Sequence, residues 1–151
     1  MPEPEYHPIS GTYIIYNRVQ NSGGQRLALT FNGDGQAITA TPVQADLLTQ
    51  QWVVQRYGPD TSGGSVYELK PVNNQGLETG QSSNGTVITL PARGYVFSIY
   101  RDETGYLIKN GHRQNPWSLR SATNASQIIF TSDSTDEKQR WHFHLVTDGA
   151  I

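Results

Sequence analysis

The chain has 151 residues, no cysteine, and eleven basic against thirteen acidic side chains, giving a net charge of −2 and a pI near 6.0. The basic residues are scattered, which removes the electrostatic grounds for a nucleic acid or an anionic membrane as partner. Absent cysteine excludes disulfides, thiol nucleophiles and thiolate metal sites.

One domain, residues 1–151, with a single core is the expectation at this length, and no apolar run is long enough to span a bilayer. The opening MPEPEYHPIS lacks the basic start and apolar stretch of a signal peptide, so a cytoplasmic protein is expected. In that setting the sequons Asn84-Gly85-Thr86 and Asn124-Ala125-Ser126 read as chance matches.

From Gly11, GTYIIYN places Tyr13 and Ile15 on one face of a strand. RLALTF and AITATP follow, divided by the turn signals NSGGQ and FNGDGQ. PVQADLLTQQW reads as a loop or single turn that leads into a strand carrying Trp52 and Val54. After DTSGGS the order recurs: SVYELKP with Tyr67 and Leu69, then GLETG and, past the turn signal SSNGT, VITLP and the alternating Tyr95, Phe97 and Ile99. It recurs once more as TGYLIKN with Tyr106 and Ile108, WSLRSA, IIFTS, and Trp141, Phe143 and Leu145.

Gln-x-Trp occurs at Gln50–Trp52 and at Gln139–Trp141, and Tyr95 is read as the substitute in the middle unit. Three units over about 10–57, 65–101 and 103–147, with about twelve strands, suit a closed pseudo-threefold barrel better than a solenoid. Closure also removes exposed strand edges.

Three four-stranded units with Gln-x-Trp near the last strand resemble the all-β β-trefoil of the ricin-B-like superfamily. With the size, the missing cysteine and the GTYIIYN opening, the chain is similar to the mushroom β-trefoil proteins, which include lectins and protease inhibitors, and within them to serine protease inhibitors of the cospin type.

Catalytic constellations are missing. There is no Walker loop, nucleophile elbow, dinucleotide glycine pattern or His-Glu-x-x-His, and no enzyme, cofactor or metal is expected. His142 and His144 share a strand face, but without a third ligand a solvated outer face is favoured. Asp133, Asp136 and Glu137 read as a polar turn. Trp52 and Trp141 belong to inward rows and are assigned to the core. Trp117 breaks the pattern; a core or half-buried supporting position is favoured, and the alternative is an exposed ring forming a sugar patch with Asn115 and Arg113.

The resemblance implies two functions. Ricin-B-like sugar sites place an Asn three residues before the Gln of Gln-x-Trp, and Leu47 and Asp136 stand there in this chain. That weakens the lectin alternative. A cospin-type inhibitor implies a reversible, substrate-like inhibitor of trypsin-like serine proteases, presenting an Arg from an early loop: Arg26, flanked by Gln25 and Leu27, with Arg18 as substitute. Its bond to the acid in the protease pocket is worth about 1.5–3 kcal/mol. Gly23 and Gly24 loosen this loop unless they hold backbone angles reserved for glycine. A cysteine-protease inhibitor using Asn73 and Asn74 is a third possibility. The resemblance therefore implies a protease inhibitor, expected to be monomeric and to act in defence, and a carbohydrate-binding lectin as the alternative.

Overall fold

Strands with large apolar groups at every second place are one-sided, and that side must be covered. The computed structural model describes residues 7–59, 65–111 and 113–149; His112 and residues 60–64, where the turn signal DTSGGS was read, lie outside them. A strand covers each of the twelve segments read from the sequence.

Six strands close a barrel: β1 (Gly11–Gln20), β4 (Trp52–Pro59), β5 (Ser65–Pro71), β8 (Phe97–Asp102), β9 (Gly105–Lys109) and β12 (Trp141–Leu145). Each pairs antiparallel with the next in that order, and β12 returns to β1 with Tyr13 opposite Leu145 and Asn17 opposite Trp141. Three hairpins stand on the barrel: β2 (Arg26–Thr30) with β3 (Thr39–Pro42), β6 (Leu77–Gln81) with β7 (Val87–Pro91), and β10 (Trp117–Leu119) with β11 (Ser126–Phe130). They touch one another through Ala40 opposite Ser126, Ala37 opposite Ile88, and Thr86 opposite Ile129.

Trp52 and Trp141 open barrel strands and are fully buried. The indole N–H of Trp52 donates to the Leu29 carbonyl at 3.0 Å, and that of Trp141 to the Trp117 carbonyl at 3.1 Å. Each ring thus fastens a barrel strand to the first strand of a hairpin. The glutamine two places earlier fastens the preceding loop. Gln50 accepts from the Gln44 N–H at 2.7 Å and donates to the Thr41 hydroxyl at 2.8 Å. Gln139 accepts from the Ser134 N–H at 2.9 Å and donates to the Ser132 carbonyl at 2.7 Å. Both amides are buried, where leaving a partner unmade costs on the order of 1–3 kcal/mol.

In the middle of the chain the matching residue is Phe97, not Tyr95. Phe97 opens β8 and is buried, whereas Tyr95 lies before the strand, half-buried, its ring centroid 5.1 Å from that of Phe97. A phenyl ring has no N–H to donate, and no glutamine precedes it. Glu78 on β6 ties the approach to this strand: its Oε2 accepts from the backbone N–H groups of Arg93 and Tyr95, both at 2.9 Å. This buried carboxylate had no counterpart in the repeat pattern.

At the barrel end remote from the hairpin cap, residues 7–10 form a strap. The Tyr67 hydroxyl donates to the Pro8 carbonyl at 2.5 Å and the Tyr13 hydroxyl to the Ile9 carbonyl at 2.7 Å. His7 Nδ1 donates to the Ile99 carbonyl at 3.0 Å, and the Arg56 N–H donates to the Ser10 hydroxyl at 2.9 Å.

Candidate functional site

The first and last strands meet with Tyr16 directly opposite His142. Both side chains face outward, and their rings stack at 5.1 Å between centroids, 27° apart. The β8–β9 hairpin rises beside them and encloses a groove of about 930 Å³ whose walls carry Tyr16, His142, Arg101, Asp102, Glu103 and Tyr106.

The hairpin wall is held rigidly. Asp102 Oδ1 accepts from the Thr104 N–H at 2.8 Å and hydroxyl at 2.6 Å, and its Oδ2 from Arg140 Nη2 at 3.1 Å. Burial raises the Asp102 pKa, but the Thr104 bonds and the Arg140 guanidinium outweigh it and hold the carboxylate below its ordinary range. Gly105, at φ +143°, turns the hairpin where a Cβ would lie 3.2 Å from Arg140 Cβ and 3.4 Å from the Trp141 carbonyl. Only glycine brings the two backbones this close.

Cations surround the aromatic wall. The Arg26 guanidinium lies 5.1 Å from the Tyr16 centroid and that of Arg101 5.9 Å from Tyr106. Burial, then the charges of Arg18 and Arg26, push the His142 pKa below its ordinary value, which favours the neutral imidazole. His144 Nε2 donates to the Gly149 carbonyl at 2.8 Å. Among the described residues no group of three or more metal-ligating side chains comes together. Stacked rings, a carboxylate and planar guanidinium groups suit a polyhydroxylated ring: the aromatic takes its C–H face, and the charged groups take its hydroxyls.

The residues singled out for a protease are placed differently. Arg26 is the first residue of β2, and its carbonyl accepts from the Val43 N–H at 3.0 Å, so the bond that follows it is committed to the sheet. Leu27 is wholly buried and cannot enter a protease subsite. Gln25 is exposed, but Asn21 grips its N–H at 2.9 Å and its side-chain carbonyl at 3.0 Å. Gly24 sits at φ +76°, so the glycines serve a fixed turn rather than a loose loop. Arg18 donates to the Thr104 carbonyl at 2.9 Å and pairs with Glu137 at 3.3 Å. Both arginines are exposed, Arg18 in an ion pair with Glu137 and Arg26 with its guanidinium 5.1 Å from the Tyr16 centroid.

The alternative sugar patch also changes. Trp117 is fully buried, edge-on to Phe97 at 5.0 Å, and offers no platform. Arg113, at φ +58°, lies over Tyr100 at 4.0 Å, and the Asn115 N–H donates to Asn110 at 3.0 Å. Asp136, at the position of the family's sugar-binding Asn, caps the turn before β12 by accepting from the Lys138 N–H at 2.9 Å. Tyr16 and His142 were visible in the sequence as outward members of alternating rows, but which strand stood beside which was not.

Residues 11–141 match a family model described as CCL2 lectin-like. The chain belongs to the CCL2 lectin-like family. No curated protein matches it significantly in sequence. Among solved structures it resembles the Rhizoctonia solani agglutinin, with a TM-score of 0.70 and 22% identity over 95% of this chain and 99% of that one. The Macrolepiota procera ricin B-like lectin, solved in complex with lactose, gives 0.70 and 17% over 92% and 98%. A mosquitocidal holotoxin gives 0.73 and 15% over 91% of this chain, which spans only 17% of the toxin. At such identities the likeness speaks to the fold, which is that of β-trefoil proteins. None of these likenesses points to cospin-type inhibitors.

Proposed function

We propose that this protein is a lectin and that it seats a sugar in the groove between β1, β12 and the β8–β9 hairpin. Membership of a lectin-like family over residues 11–141 carries the reading. The groove supports it by offering Tyr16 and His142 as a stacking wall and Glu103 and Arg101 as hydrogen-bonding partners. Three four-stranded units, about 10–57, 65–101 and 103–147, belong to the same reading, as does action by binding rather than by catalysis. The lectin reading takes precedence over protease inhibition because Leu27 is buried and the Arg26 carbonyl is bonded within the sheet.

A glycan array of the wild type and Tyr16→Ala tests it, with circular dichroism confirming that both are folded. The wild type is expected to bind a defined glycan set, and Tyr16→Ala to bind it about tenfold more weakly. A blank wild-type array refutes the lectin reading. Binding that ignores Tyr16→Ala refutes the groove.

A further inference from the structure

Beneath the strap, Phe143 stands edge-on to two tyrosines, 5.6 Å from Tyr13 at 77° and 5.1 Å from Tyr106 at 65°. With Leu145 and Ile9 they line a cavity of about 410 Å³ whose rim carries the Asp148 carboxylate. No lysine or arginine is among its lining residues. His7 uses its Nδ1–H on the Ile99 carbonyl, and Tyr13 uses its hydroxyl on the Ile9 carbonyl. The rest of the lining is mainly aromatic and aliphatic surface, with His7 Nε2, the Tyr106 hydroxyl and one carboxylate, Asp148, as its polar side-chain groups.

We propose that this cavity binds a small organic ammonium ion of the choline or methylated-amine class, its cationic head against the aromatic rings and paired with Asp148. Aromatic faces attract cations through the ring quadrupole, and a methylated ammonium is an apolar body carrying a positive charge. It therefore satisfies both halves of the lining, whereas an anion would face Asp148 and a neutral hydrocarbon would leave that charge unused. Tyr106 already accepts the Arg101 guanidinium, a residue of the neighbouring groove. The field of Asp148 reaches into the site. Burial, followed by Tyr106 and Asp148, raises the Tyr13 pKa.

Tyr106 and Phe143 also border the groove, so the discriminating variant is Asp148→Asn, which does not line it. Choline chloride is titrated into isotope-labelled protein and followed by NMR, with matched sodium chloride as blank. The second ligand is the neutral alcohol in which carbon replaces the ammonium nitrogen. Saturable shifts at Tyr106, Phe143, Leu145 and Asp148 are expected with choline. Binding should be about fivefold weaker for the neutral isostere, and about fivefold weaker for choline with Asp148→Asn. No saturable shift, equal binding of the neutral isostere, or unchanged choline affinity in Asp148→Asn overturns the proposal.

Discussion

Trp52→Phe isolates what the Gln-x-Trp frame contributes. The substitution removes the indole N–H that meets the Leu29 carbonyl at 3.0 Å inside a core where Trp52 and Leu29 are both wholly buried. Losing that donor costs about 1 kcal/mol, rising to about 3 kcal/mol if the carbonyl is left dry. The smaller ring also leaves a void on the order of 30–40 Å³, worth about 1 kcal/mol at about 24 cal/mol per Å³. Together these predict a loss of about 2–4 kcal/mol. Phe97, buried at the start of β8, shows that the barrel accepts a phenyl ring there without a clash. Urea unfolding followed by circular dichroism measures the loss, with the midpoint expected to fall by about 1–2 M at unchanged slope. A change below about 1 kcal/mol would mean that the tryptophan holds its hairpin by shape alone, and would refute the role assigned to its N–H.

Glu78→Ala strips the acceptor from the Arg93 and Tyr95 N–H groups and is expected to cost about 1–3 kcal/mol, while Glu78→Gln, which keeps one acceptor oxygen, costs less; equal losses in urea unfolding would count against it. Because the His142 pKa is lowered on folding, the folded chain binds fewer protons than the unfolded chain just below the ordinary histidine value of 6.5. The His142 contribution is therefore complete above about pH 6.5 and fades as the pH falls through it. Melting temperatures of the wild type and His142→Gln between about pH 7 and about pH 5 should diverge in slope, and parallel curves refute the assignment. Gly105→Ala forces a side chain to φ +143° against Arg140 and Trp141 and should cost about 1–3 kcal/mol; thermal melting of the variant reads it directly.

Much of the barrel was legible because its rule is local. Tyr13 and Ile15, Tyr67 and Leu69, and the two Gln-x-Trp tryptophans alternate along single strands, and all are buried. Tyr95 was mistaken for the partner of those tryptophans because alternation fixes a face and not a starting point. Trp117 was given an exposed alternative because it breaks the repeat pattern, yet its carbonyl receives the Trp141 N–H across the core, a pairing 24 residues apart. Arg26 reads in the sequence as the end of the first-unit loop, and it does open β2; only the sheet register shows that its carbonyl meets the Val43 N–H and that it stands opposite Gln20 on β1. The groove was least legible of all, since Tyr16, Arg101 and His142 come from distant parts of the chain and are neighbours only through barrel closure.

The stacking wall of that groove is shared between residue 16 and residue 142, joined by the pairing of β1 with β12. A polypeptide still emerging from the ribosome lacks His142, Phe143 and His144, and with them one side of the groove, until β12 arrives. If the groove seats a sugar as proposed, recognition waits for β12, and a truncation before Trp141 should abolish it even where earlier strands have begun to assemble.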